Sequence, residues 1–225
     1  TCFGHGEESR KVNVRLRVPA IVNVIPHSKS SVTISQAYLS LFSLELFLCQ
    51  KYPKQVEAPA GNWLDFFISS AYANHGVAFT EPTQLSAQRK INLLQTTDLN
   101  IGVLDIPYGN YCAINVTFAH HQQSDYSFYL SGARSSLDAA SPGTASSITE
   151  NPFEVRGTYG FGENVAVEFT IPQTATANND TPLSLELSIA PQTIFSGLKL
   201  EESEHQIVRH VVLGLSNQLS VTLVP

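Results

Sequence analysis

The sequence predicts an all-β fold, a mainly antiparallel β-sandwich carrying one or two short helices. Three stretches point there. KVNVRLRV at 11–18 alternates cleanly, with Val12, Val14, Leu16 and Val18 on one side and Asn13, Arg15 and Arg17 on the other. Val32 to Cys49 is a long apolar run whose part from 42 to 48 keeps a strict period of two. Ile106 to His121, IPYGNYCAINVTFAHH, joins turn chemistry at Pro107 and Gly109 to another alternating strand.

In chain order, residues 1–10 read as a flexible polar leader and 11–225 as a single sandwich domain. Pro19 interrupts the first strand, and AIVNVI resumes it as an edge or bulged strand. Pro26 to Ser31 reads as a turn. The run from Val32 is one long central strand, or two joined by a bulge near Gln36. Val32, Ile34, Tyr38, Phe42, Leu44, Leu46 and Leu48 share its core face, and Ser40 is the exception. Beyond a loop at Pro53–Gly61 come the apolar segment Trp63–Tyr72 and a loop around His75 and Gly76. Leu85–Leu94 suits a short helix with Ser86 as its cap.

Leu99, Ile101 and Val103 then alternate into the strand of the third stretch. There Cys112, Ile114, Val116 and Phe118 face the core, while Ala113, Asn115 and Thr117 face away. Carried onward, that phase puts His120 on the core side and His121 outward. A polar excursion from about Gln122 to Gly157 contains one candidate hairpin arm, Tyr126–Leu130. Strands return at Val165–Ile171 and Leu183–Ile189. Ile207, Val208, Val211, Val212 and Leu215 form a helical stripe, and SVTLV closes the chain as a strand.

Composition narrows the functional classes. Of 225 residues, 43% are hydrophobic and only 14% are charged, against about 25% in ordinary soluble chains, a balance typical of secreted and cell-surface β-proteins. The net charge of −6 and the lack of any basic run leave nothing to neutralise phosphates, so nucleic acid is not an expected partner. No apolar run approaches the roughly 20 residues of a membrane span. A chain opening at Thr1 without any Met reads as a mature form after leader removal, which makes export the working expectation.

An exported chain with three cysteines is expected to hold one disulfide. Cys49 ends one expected strand and Cys112 opens another, so they are the expected bridge. Cys2 is left to carry a lipid or to pair with either of them. In a reducing compartment all three would instead be buried thiols.

Nucleophile elbows, phosphate loops, dinucleotide fingerprints and HExxH are all lacking, and the carboxylates are scattered, so a non-enzymatic role is expected. Among the histidines, His75 in an Asn-His-Gly loop and the pair His120–His121 at a strand end are the candidate metal ligands. Imidazole nitrogen suits copper and zinc. Asp65 and Asp125 are candidate oxygen ligands or acceptors behind the first ring of ligands. No EF-hand spacing is present, which leaves calcium without a site but open. Tyr126, Phe128 and Tyr129 beside the Ser/Gly-rich stretch support a different reading, a surface adhesion or glycan-binding module without a metal.

VNVRLRV, YLSLFSLELFLC and LNIGVLDIPYGNYCAINVTFAHH together resemble the MbnP-like copper-binding proteins, whose relatives include copper-repressible surface proteins of methane-oxidising bacteria. IFSGLKLEESE is similar to the portion before the helix in that group. The resemblance covers about half of the chain. It implies an exported, periplasmic, outer-membrane-associated or surface β-sandwich binding one copper ion through two histidines for acquisition or storage. His120 or His121 matches the histidine after the core strand, and His75 is taken as the other. Some members carry a tryptophan oxidised to kynurenine, for which Trp63 is the candidate residue. The Cys-rich loop of some relatives is absent here, as are methionine thioethers.

Overall fold

A computed structural model describes residues 9–22, 24–27, 30–49, 82–137, 148–158, 160–171, 183–196 and 204–224. The strands are β1 (Ser9–Val18), β2 (Val24–His27), β3 (Ser30–Leu48), β4 (Gln84–Asn92), β5 (Thr97–Pro107), β6 (Gly109–Phe118), β7 (Phe128–Leu137), β8 (Ile148–Gly157), β9 (Phe161–Ile171), β10 (Leu183–Ile189) and β11 (Leu219–Val224). Two helices, α1 (Pro191–Ser196) and α2 (Glu204–Gln218), lie between β10 and β11. This is the expected all-β sandwich with two short helices. No helix among the described residues is long and apolar enough to cross a membrane.

The smaller sheet has the order β11-β10-β1-β5, with β1 and β10 parallel and its other neighbours antiparallel. The larger runs β8-β7-β3-β6-β9, with β2 and β4 also on β3. One apolar core draws Val12, Val14 and Leu16 of β1, Leu185 and Leu187 of β10, and Leu39, Leu41, Ile114, Val116 and Phe118 of the larger sheet. The stripe of α2 closes it through Ile207, Val211 and Leu215.

β3 organises the larger sheet. Residues 30–39 pair with β7 and 41–48 with β6, so these two strands follow one another along one edge. β2 and β4 share the opposite edge in the same way. The strand is longer than any one partner, and its register shifts where partners change. A shift between Ile34 and Gln36 turns Ala37, Leu39 and Leu41 inward; one between Leu41 and Ser43 returns the core face to Leu44 and Leu46. The bulge expected near Gln36 is present, and a second near Phe42 was not expected, so the single core phase read along this strand is broken twice. Tyr38, expected in the core, stands on the outer face between Ala37 and Leu39, which are both fully buried.

Other expectations need correction. Leu85–Leu94 is not a helix: β4 takes it as far as Asn92, and Leu93 and Leu94 form a turn. Two residues of β4 oppose one of β3 near Gln88, whose φ is 42°. Ala87 and Ile91 are both buried, as residues four positions apart on one face of a strand are. The polar excursion is largely a ten-pair β7–β8 hairpin rather than a single arm at 126–130. Ser9 and Arg10 belong to β1, and the rest of the expected leader lies outside the described residues. The expected turn at Pro26–Ser31 gives its ends to β2 and β3, with His27 opposite Ser30. In β6, a register shift between Tyr111 and Ala113 takes Cys112 off the core face and buries Tyr111 in its place.

Candidate functional site

The expected histidine pair lies on the connection from β6 to β7, residues 119–127. Phe118 is opposite Leu41 and Phe128 opposite Leu39, so this loop leaves and rejoins β3 at almost one level. Ser40 sits between those pairs. Its N–H donates to the Ser127 carbonyl at 2.9 Å, and its carbonyl accepts from Ala119 N–H at 3.1 Å. Its Oγ lies 2.7 Å from Ser124 Oγ and 2.5 Å from the Tyr126 carbonyl oxygen, and Ser124 Oγ lies 2.9 Å from that same oxygen. Two hydroxyl protons serve three contacts: one serine donates to the carbonyl and the other to its fellow serine. Ser40 is only 1% exposed, as is Ser127, whose N–H and Oγ both donate to the Gly157 carbonyl. Buried polar groups need such partners, and here the partners fix the loop over the outer face of β3.

The tip of the loop is a turn closed by reciprocal His121–Ser124 backbone hydrogen bonds, 2.9 Å each. Gln123 N–H donates to His121 Nδ1 at 3.2 Å. That bond uses the Nδ1 lone pair and assigns the neutral ring's proton to Nε2. Nε2 is buried and has no well-formed hydrogen bond among the described residues. Burial is the main influence lowering the His121 pKa from 6.5. A weak hydrogen bond with the Arg89 backbone, short of good geometry, acts the other way, while the charges of His120 and Arg89 lower it further. His121 is therefore a neutral imidazole at neutral pH. His120, next to it, is half-buried.

The alternation that put His120 inward and His121 outward ends with β6 at Phe118; beyond it the turn sets the directions, and His121 is the residue with a buried ring nitrogen. Asp125 is exposed on the same loop. His75, Trp63, Asp65 and Cys2 lie outside the described residues. Among the described residues no group of three or more His, Cys, Asp or Glu could hold a metal ion. His210 Nε2 instead donates to the Ile194 carbonyl at 3.1 Å, tying α2 to α1.

Cys49 and Cys112 form the expected disulfide, with Cα atoms 4.8 Å apart. It fastens the end of β3 to the start of β6, where Cys49 N–H also donates to the Asn110 carbonyl at 2.9 Å.

Sequence reasoning missed Ser40 as the loop's anchor, although its break in an apolar phase was the available signal. It also missed Arg89 and Lys90 as neighbours of this region, because β4 read as a helix. No family model, curated protein or solved structure matches the chain.

Proposed function

We propose that this is an exported, non-enzymatic copper-binding protein whose 119–127 loop supplies His120 and His121 as adjacent ligands. One observation carries the reading: His121 is a neutral imidazole whose buried Nε2 has no well-formed hydrogen bond, next to a second imidazole, on a loop fixed to the central strand. Adjacent neutral imidazoles suit copper, and zinc is the alternative. Since the described residues offer no third donor, His75 or water is assigned the remaining position. Copper supplies no step here beyond being held. The chain's part is to present the two rings as neutral nitrogen donors. Loading through Nε2 moves the ring's proton to Nδ1 and displaces the Gln123 hydrogen bond; loading through Nδ1 replaces that bond directly. Either way the Gln123 amide loses its acceptor. The Cys49–Cys112 disulfide supports export, because such bonds persist in oxidising compartments.

The test is copper titration of the purified chain and of His120→Ala, His121→Ala and His75→Ala variants, with the Gln123 amide followed by NMR. The expected result is about one equivalent bound, lost in the double His120/His121 variant, with the Gln123 resonance moving on loading. Binding that survives the double variant, or no binding at all, would overturn the proposal.

A further inference from the structure

The two register shifts of β3 leave a row of tyrosines on the outer face of the larger sheet. Tyr38 is directly opposite Tyr129 on β7, and Tyr129 is opposite Arg156 on β8. Both tyrosines point away from the core, because Ala37, Leu39, Phe128 and Leu130 on either side of them are buried. Phe128, the third aromatic of that sequence cluster, turns inward to Phe195, with ring centroids 6.3 Å apart. Tyr126 takes its place on the outer face, carried there by the Ser40-anchored loop.

The Tyr38 and Tyr129 ring centroids are 6.2 Å apart, and those of Tyr129 and Tyr126 5.7 Å, with interplanar angles of 36° and 26°. Lys90 Nζ sits 4.0 Å from the Tyr38 centroid, and the Arg156 guanidinium 5.5 Å from that of Tyr126. Glu154 pairs with Arg156, whereas Lys90 has no carboxylate partner among the described residues. None of the three tyrosine hydroxyls has a hydrogen-bond partner among the described residues.

We propose that Tyr38, Tyr129 and Tyr126 form a binding strip for an extended acidic polysaccharide, a chain of uronate-type hexopyranose units lying across β3 and β7. The ring steps are comparable to the length of one hexopyranose unit in an extended chain. The C–H face of such a sugar carries partial positive charge and suits the negative face of an aromatic ring. Its hydroxyls meet three phenol groups that the protein leaves unused. Its carboxylates meet Lys90, which has no carboxylate partner among the described residues. This site is independent of the copper proposal.

Calorimetric titration of the full chain with oligogalacturonate, and with a neutral cello-oligosaccharide for comparison, tests the assignment, using chelator to silence any metal bridging. The expected result is binding of the acidic oligomer, about tenfold weaker in Tyr38→Ala and in Tyr129→Ala. Lys90→Gln changes an exposed side chain, leaves the fold as it is, and is expected to weaken binding about fivefold. No binding of either oligomer overturns the proposal. Equal binding of the neutral oligomer overturns the role of Lys90, and binding indifferent to both Tyr129→Ala and Lys90→Gln overturns the location.

Discussion

Ser40 and Ser124 are 84 positions apart in sequence, yet their hydroxyl oxygens lie 2.7 Å apart, beneath a loop carrying two histidines. The contact joins a central strand to a surface loop, so its removal has both a local and a global effect.

Ser40→Ala leaves Ser124 to satisfy the Tyr126 carbonyl alone. A loss of about 1–2 kcal/mol is expected, read from urea denaturation. Amide exchange should accelerate over residues 119–127 and stay unchanged in β1 and β10. A uniform change across the chain would show that Ser40 does not act as the loop's anchor.

The folded-state pKa of His121 lies below the value of about 6.5 for the unfolded chain. Between these two pKa values the unfolded state binds more protons, so stability falls as pH drops through that window. Its contribution is fully present above the unfolded value. An NMR titration should place the His121 midpoint below 6.5, and the pH slope of the denaturation midpoint should shrink in His121→Gln. A midpoint above 6.5 contradicts the burial argument.

The disulfide closes a separation of 63 residues. Reduction, or replacement of both Cys49 and Cys112 by Ala, is expected to lower stability by about 2–4 kcal/mol. Paired urea curves with and without reductant measure it, and the double variant should respond to reductant not at all.

Two glycines give an internal contrast. A Cβ at Gly132 would run into the Thr33 backbone carbonyl, which the β3–β7 pairing holds in place. One at Gly102 would meet only the end of the flexible Leu85 side chain. Gly132→Ala is therefore expected to cost about 1–3 kcal/mol and Gly102→Ala clearly less. Thermal melts that rank them the other way would refute this account of the register shift.

The fold class was legible because β1 and β10 alternate without interruption, and because α2 repeats its apolar residues with helical spacing; β5 changes phase after Ile101, so that Leu104 and Ile106 are buried and Val103, expected inward, is exposed. Shifts of register hid the rest. Tyr38 read as core because the single-phase reading of β3 was carried past the extra residue at Ile34–Gln36, where a bulge was the other reading. Leu85–Leu94 read as a helix because Arg89, opposite the buried Leu41, interrupts the apolar alternation of β4. The β7–β8 hairpin was obscured differently, since Ser131, Gly132, Ala133, Ser135 and Ser136 offer almost no polarity contrast between its faces. At the candidate site, the histidine pair and the cysteine bridge could be named from sequence. The orientation of His121 could not, because a turn set it after the strand had ended.

The end-to-end arrangement of β6 and β7 along β3 gives the molecule a graft point. Residues 119–127 bulge out of what is otherwise one interrupted line of pairing that resumes at Phe128. Positions 120–123 and 125 can thus be diversified in a library, provided Ser40, Ser124 and the Tyr126 carbonyl keep their tether. What the loop presents to the outside is in this way separable from what holds the sandwich together.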